Sequence, residues 1–497
     1  MGRTVPISLV LLFLFLLNLF AGLFFINEGL FHHDSVLLAK AVEDTYATGQ
    51  LQPEARGRYG AVIVNNIIHF PFFLLGHNAD FTTRFSSVLF HSLSICTLFL
   101  FAYELLGSIM TAFFSGILLS FTPFYFSPNT WGKEHGLYIT FILLSFYFLY
   151  RGTDKNNILS VGLSSFLAAF SVSIKESALA VLPLYFLLYL RPKFTTRPFR
   201  IVIKKERFDP KTLACLILPM AAVLGVLYFT YLKGEFYREI VLRDNTTALF
   251  MGPFSKMLKV AFKDLRIGVP PVIFLFFGLG IIRMFLQKKT FAPLFLLAWL
   301  ALIFYFGNIE TFVLRYLDIV MIPVYIGTAY FLSWLHDKDK VAANAIVLYF
   351  TLSMFLVMYP MLKFRHTYNG EKRYALFVRD KTEPNAIIIT MDDSAFIEYY
   401  ADRRTTPHPI DDAGKMIEFM KKIRSYVRKG IPVYVTGSAF SYDHKKTFRK
   451  VFDLSFDMES IGSLLAEDYH RPEVQFTKYN EELLKLAPKG DPRSTLE

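Results

Sequence analysis

The sequence predicts an all-α polytopic membrane domain of about eleven transmembrane helices, followed by a small α/β domain outside the membrane. Three observations predict it. Of 497 residues, 54% are hydrophobic and only 19% are charged, with a mean hydropathy of +0.39; a soluble chain carries nearer a quarter charged residues. Apolar runs of membrane-crossing length recur from the N-terminus to about residue 362. From there to the C-terminus the composition changes to alternating short apolar strands and an amphipathic helix.

The first run, 5–26, spans about 20 residues, enough to cross a hydrocarbon core of roughly 30 Å. It exceeds a signal-peptide core and lacks a small-residue cleavage pattern, so it reads as a retained anchor. Further runs follow at 84–106, 108–127, 136–151, 157–173, 177–191, 211–232, 268–286, 290–306, 316–336 and 341–362. The stretch 61–76 (AVIVNNIIHFPFFLLG) carries Asn65, Asn66, His69 and Pro71. It reads as a re-entrant or interfacial helix packed on protein, because lipid does not tolerate unsatisfied backbone.

Loop charge orients the chain. Alternate loops hold Arg151 and Lys155; Arg191, Lys193, Arg197, Arg200, Lys204, Lys205 and Arg207; Arg283, Lys288 and Lys289; Lys338 and Lys340. By the positive-inside rule these loops are cytoplasmic, which puts the N-terminus inside and everything after Phe364 outside. The net charge of +12 is then accounted for by orientation, and no nucleic-acid partner is needed. Cys96 and Cys215 lie in apolar runs and offer neither a disulfide framework nor metal-ligand spacing.

The expected division is a membrane domain over 1–365 and a soluble α/β domain over 366–497. In the latter, EPNAIIIT reads as a strand, AGKMIEFMKKIRSYVRKG as an amphipathic helix ending at Gly430, and IPVYVTG as a second strand. No GxGxxG, P-loop or CxxC pattern occurs there.

In this orientation the polar residues at span ends gather on the outer side. They are Phe31-His32-His33-Asp34-Ser35, the loop Ser127 to His135 with Lys133 and Glu134, Ser173-Ile174-Lys175-Glu176-Ser177, and Gly307 to Arg315 and Tyr316. Ionisable groups near membrane depth are costly and are paired or functional. Each also has a plainer reading. Asp34 fits a helix N-cap, and Lys175–Glu176 fits an interfacial pair with a snorkelling lysine. His32, His33 and His135 fit ordinary outer-surface histidines as well as metal ligands, and Arg315–Tyr316 fits an interfacial anchor. Their collection on one face favours a site.

The order of these motifs resembles the GT-C fold glycosyltransferases, closest to the protein O-mannosyltransferase and aminoarabinose (lipid A) transferase branch. The resemblance covers roughly residues 1–365 and rests on several stretches. They are Asp34 in the first outer loop; RYGAVIVNNIIHFPFFLLGHNADFTTRFSSVLF with Gly76 and Arg84; Glu134 at the start of a span; SVSIKESALAVLPLY with Lys175; and FVLRYLDIVMIPVYIGTAYFL with Arg315 and Tyr316. Three features depart from relatives: Ser35 rather than an acid after Asp34, Glu134 where Asp is frequent, and no WWD motif or β-trefoil insert. The long loop near 233–267 is the one place in the membrane domain with room for an insert.

The resemblance implies a donor carrying its sugar on a polyprenyl or dolichyl phosphate, and an extracytoplasmic acceptor. Asp34 would take the acceptor proton, and Lys175, Arg315 and Tyr316 would hold the lipid phosphate. Glu134 would orient a substrate, with His33 and His135 as support or as ligands of a divalent cation, a cofactor left open. A single displacement would invert the anomeric centre. The readings from other classes are a transporter or lipid-linked sugar flippase and a non-catalytic scaffold. A transporter places ionisable groups near the midplane, often in inverted repeats, and neither feature is evident here.

Overall fold

A computed structural model describes residues 6–54, 57–196, 199–232, 268–306, 314–391, 393–407, 413–441, 447–470 and 475–489. The loop 233–267 and residues 307–313 lie outside them, and so does the side chain of Arg315. The chain divides into two units: residues 1–26 with 41–363, and residues 27–40 with 364–497.

The first unit is helical. Its helices are α1 (Ile7–Phe24), α2 (His33–Thr48, of which residues from 41 onward belong here), α3 (Tyr59–Leu74), α4 (Ala79–Leu106), α5 (Ile109–Ser120) and α6 (Pro123–Thr130). There follow α7 (His135–Asp154), α8 (Ile158–Ile174), a 3₁₀ turn Glu176–Val181, α9 (Leu182–Leu190) and a hairpin of β1 (Lys193–Thr196) and β2 (Phe199–Val202). The unit continues with α10 (Pro210–Leu227), α11 (Val272–Leu286), α12 (Phe291–Leu300), α13 (Asp318–Lys338) and α14 (Lys340–Thr367), which it shares as far as Lys363.

Local chemistry sets these boundaries. Ser108, Asn157 and Asp209 cap α5, α8 and α10, each side chain accepting from the N–H three residues on. Gly107 closes α4 in the left-handed conformation, its N–H bonded to Tyr103 O. Several buried hydroxyls within helices return to the preceding turn, as Ser92 to Val88 O and Thr140 to Gly136 O. Helix α4 packs against α1, α5 and α7, α8 packs against α7 and α10, and α13 packs against α5 and α11. Phe101, Phe146, Phe295 and Trp299 join α4, α7 and α12 through ring contacts at centroid separations of 5.3–6.2 Å.

Each apolar run expected to cross the membrane coincides with a helix or helix pair. The expected count of about eleven crossings is not confirmed. Among the described residues five helices are long and apolar enough to cross, or six if α5 and α6 form one span bent by 62°. The bend falls where α5 ends at Ser120 and Pro123 opens α6, a residue that fits a first turn because it has no N–H to lose. Tyr59–Leu74, Ile158–Ile174 and three other apolar segments are shorter than a full crossing.

The second unit carries a five-stranded sheet of β3 (Ile387–Thr390), β4 (Arg404–Pro407), β5 (Val433–Thr436), β6 (Phe456–His470) and β7 (Gln475–Pro488), in the order β4-β3-β5-β7-β6. Strands β4, β3 and β5 are parallel, while β7 runs antiparallel to both β5 and β6. Between β4 and β5 lies α16 (Ala413–Arg428), preceded in the chain by α15 (Gly370–Lys381) and followed by α17 (Thr447–Ser455). Phe419, Met420 and Ile423 of α16 share a core with Ile389, Val433, Val435, Phe448 and Phe452. The expected strand over EPNAIIIT begins only at Ile387, because Glu383 to Ala386 form a turn closed by Ala386 N–H to Glu383 O.

Residues 27–40, expected within the membrane domain, group with this second unit. Glu28 N–H bonds Arg365 O, Leu30 N–H bonds the Tyr400 hydroxyl, and the Asn369 amide donates to Leu30 O. Lys40 pairs with Glu398 at 2.6 Å.

Candidate active site

In the first unit, four chain segments bring charged side chains together at one end of α7 and α8. Arg58 directly precedes α3, and Glu134 directly precedes α7. Lys175 follows α8 in an extended conformation that breaks the helix and starts the turn Glu176–Val181. Asp318 opens α13. Two glycines permit the approach. A Cβ on Gly60 would stand 2.2 Å from Ser173 Oγ and 3.0 Å from Ile174 N, which lets α3 meet the end of α8. A Cβ on Gly136 would stand 2.5 Å from His91 N, which lets the start of α7 lie on α4.

The resulting network is continuous. Arg58 donates through Nε and Nη2 to the two carboxylate oxygens of Glu176 at 3.3 and 3.2 Å, and through Nη1 to Glu134 Oε1 at 3.1 Å. Lys175 Nζ lies 3.2 Å from the same Glu134 oxygen and 2.8 Å from His135 Nε2. The other ring nitrogen of His135 bonds Asp318 Oδ2. Asp318 Oδ1 accepts from the Tyr138 hydroxyl at 2.7 Å and from Ile319 N–H at 2.6 Å. Lys175 Nζ also stands 5.2 Å from the Tyr138 ring centroid and 5.6 Å from that of Tyr316.

Arg58, Glu134, His135, Lys175 and Asp318 are all buried, with Lys175 3% exposed. Burial alone would raise the pKa of Glu134, but the charges of Arg58, Lys175 and Lys133 outweigh it and hold the carboxyl well below its ordinary value. Glu134 is therefore a fixed anion between two cations and is not poised to exchange a proton. Glu134 and His135 use two of the three N–H directions of Lys175, which leaves one for an anionic ligand.

The plainer of the two sequence readings makes Lys175 and Glu176 an interfacial pair. In the structure each bonds elsewhere, Lys175 to Glu134 and Glu176 to Arg58, and Lys175 is buried and does not snorkel. Arg58, Tyr138 and Asp318 were not singled out. Their signal was present, since Arg58 precedes one apolar run and Asp318 opens another, two residues after Tyr316.

Both nitrogens of His135 are engaged, and among the described residues no group of three or more His, Cys, Asp or Glu side chains could hold an ion.

Asp34 and His33 belong to the second unit. Asp34 is the second residue of α2 and is 4% exposed. Its backbone N–H donates to His32 Nδ1 at 3.2 Å, and its Oδ2 lies 3.7 Å from the same nitrogen.

A helical bundle with a buried charge network at the ends of its helices, joined in sequence to a small α/β unit, defines a class of membrane protein. The particular fold is GT-C. The chain resembles ArnT from Cupriavidus metallidurans at a TM-score of 0.62 in the apo state, with 12% identity over 96% of this chain and 97% of that one. The same protein solved bound to undecaprenyl phosphate matches at 0.60. The oligosaccharyltransferase of Archaeoglobus fulgidus matches at 0.59, with 11% identity over 86% of this chain and 69% of that one. The mycobacterial arabinofuranosyltransferase AftD matches at 0.60 and 10% identity, and this chain spans 40% of its length. In sequence, the family model of dolichyl-phosphate-mannose-protein mannosyltransferases matches residues 61–203. No curated protein sequence matches the chain.

Proposed function

We propose that this protein is a membrane glycosyltransferase that moves a sugar, a hexose or pentose, from a polyprenyl or dolichyl phosphate to an extracytoplasmic protein, lipid or glycan. The observation that carries this reading is Lys175, a buried lysine with one donor direction to spare, in a chain whose fold resembles a protein solved with undecaprenyl phosphate. Lys175, with Arg315 and Tyr316, binds the phosphate of the donor. Glu134 and Arg58 fix the ammonium of Lys175, and Asp318 fixes the tautomer of His135 so that Nε2 accepts from Lys175.

The acceptor hydroxyl oxygen attacks the anomeric carbon and forms the new glycosidic bond. The bond from that carbon to the phosphate oxygen breaks, and the lipid phosphate leaves as an anion. The hydroxyl proton passes to the Asp34 carboxylate. One displacement inverts the anomeric centre.

Basic loops such as Arg151–Lys155 and Lys204–Arg207 face the cytoplasm in this reading, with the N-terminus inside and the C-terminal unit outside. Cysteine labelling from either side of sealed vesicles tests this: a cysteine at Lys155 should react only from the cytoplasmic side.

Reconstituted protein given undecaprenyl- and dolichyl-phosphate sugars should release lipid phosphate and transfer the sugar. Lys175→Ala should lower kcat/KM by about 100-fold, mainly through donor KM. Absence of transfer or hydrolysis with every such donor would sink the proposal.

A further inference from the structure

Between strand β4 and helix α16 of the second unit lies a cavity of about 530 Å³, within the range of roughly 300–1,000 Å³ that small-molecule sites occupy. Its origin is in the strand register. In the parallel pair β3–β4, Ile387 stands opposite Arg404 and Ile389 opposite Thr406. Ile389 packs with Phe419, Met420 and Ile423 of α16, so by strand alternation Arg404 and Thr406 lie on that same face of the sheet. The helix covers Ile389, Val433 and Val435 of β3 and β5, whereas β4 is the edge strand. The space between α16 and that edge is left unfilled.

Charge on its walls is of one sign. Arg404 lines the cavity from the strand, and Lys422 and Tyr426, one turn apart, line it from the helix. Among the described residues no carboxylate lines it, and neither Arg404 nor Lys422 forms an ion pair. The Lys422 ammonium stands 5.9 Å from the Tyr426 ring centroid. The nearest acids are engaged elsewhere. Glu398 accepts from the Thr405 hydroxyl at 2.6 Å and pairs with Lys40 at 2.6 Å, and Glu383 pairs with Lys485 at 3.1 Å. Asp402 and Glu418 are exposed and lie outside the lining. The Asn385 amide and the Thr406 and Tyr426 hydroxyls also line the cavity, and none has a hydrogen-bond partner among the described residues.

Two unpaired cations beside an aromatic ring, an amide and hydroxyls suit an anion carried on a hydroxylated ring. We infer that this cavity binds an anionic saccharide, a sugar bearing a phosphate or a carboxylate. Arg404 holds the anion with its planar fork and Lys422 adds a point charge. Tyr426 offers its ring to the apolar face of the sugar, and Asn385 and Thr406 bond its hydroxyls. The choice of a saccharide rests on the sugar-transfer reading; the anion rests on the cavity alone.

Isothermal titration of the full-length protein in uncharged micelles, with no lipid-linked donor present, tests this. Glucose 6-phosphate or glucuronate should bind at least about tenfold more tightly than glucose, and the tighter of the two names the anion. Arg404→Gln and Lys422→Gln should each weaken that binding by about tenfold. Lys421→Gln, beside Lys422 but outside the lining, should leave it unchanged. Inorganic phosphate binding as tightly as glucose 6-phosphate would overturn the saccharide. Equal binding of glucose and both anionic sugars, or binding unchanged in Arg404→Gln and Lys422→Gln, would overturn the site itself. A chain that transfers no sugar yet binds glucose 6-phosphate through Arg404 would keep this site and lose the proposed function.

Discussion

Arg58 and Glu134, 76 positions apart in sequence, meet at 3.1 Å, and the same guanidinium holds Glu176 with two further hydrogen bonds. One side chain thus ties the start of α3 to the start of α7 and the end of α8. A buried carboxylate is stable only while its partner is present. Arg58→Ala leaves Glu134 and Glu176 facing one another with Lys175 as their nearest remaining cation. This substitution should cost about 3–5 kcal/mol, read as lowered thermal stability in micelles. Adding Glu176→Gln should recover part of the loss, because one uncompensated charge is removed; no recovery would show that the three groups are not coupled.

Asp34→Asn should lower kcat by about 10²–10⁴-fold and leave donor binding intact, since the amide keeps the shape but cannot take a proton. Donor binding measured by lipid-phosphate titration separates this from misfolding. A variant with full activity would remove Asp34 from the reaction.

Gly60→Ala should impair both folding and transfer. The added methyl would stand 2.2 Å from Ser173 Oγ and 3.0 Å from a backbone nitrogen, so α3 must shift. Overpacking of this kind costs about 1–3 kcal/mol. Gly60→Ala combined with Ser173→Ala should recover some stability, since one of the two clashes is removed.

The C-terminal unit should lose stability as pH rises from 5 to 8. Glu481 is pushed up to about 7, first by burial and then by the nearby Asp393, against the pull of the Ser438 N–H it accepts. A raised carboxyl pKa means that the folded state binds the proton more tightly than the unfolded one. The contribution of Glu481 is therefore most favourable below the ordinary carboxylate pKa and is lost as pH climbs through about 7. Glu481→Gln should flatten that dependence in a thermal melt followed by a tryptophan-independent probe such as circular dichroism. An unchanged slope would assign the dependence to another group.

Much of the architecture is legible in the sequence because its cause is local. Lipid demands apolar runs whose backbone bonds are satisfied internally, so most helices of the first unit announce themselves as such runs. The strand–helix–strand core of the second unit is legible in the same way, from the period of IIIT, the amphipathic α16 and VYVT. Glu134 and Lys175 stand out as charges at span ends, and the structure joins them at 3.2 Å.

The rest is decided by tertiary structure. Arg58, Tyr138 and Asp318 acquire meaning only when helices distant in sequence lie side by side, since a buried charge is defined by its partners. The grouping of 27–40 with 364–497 follows from long-range hydrogen bonds such as Asn369 to Leu30 O, which no local pattern encodes. The number of helices long enough to cross the membrane depends on where Pro123 opens a new helix and where Lys175 ends one. Sequence determined which residues avoid water; only the folded chain decided which charges, once buried, face one another, because Coulomb attraction depends on distance in space.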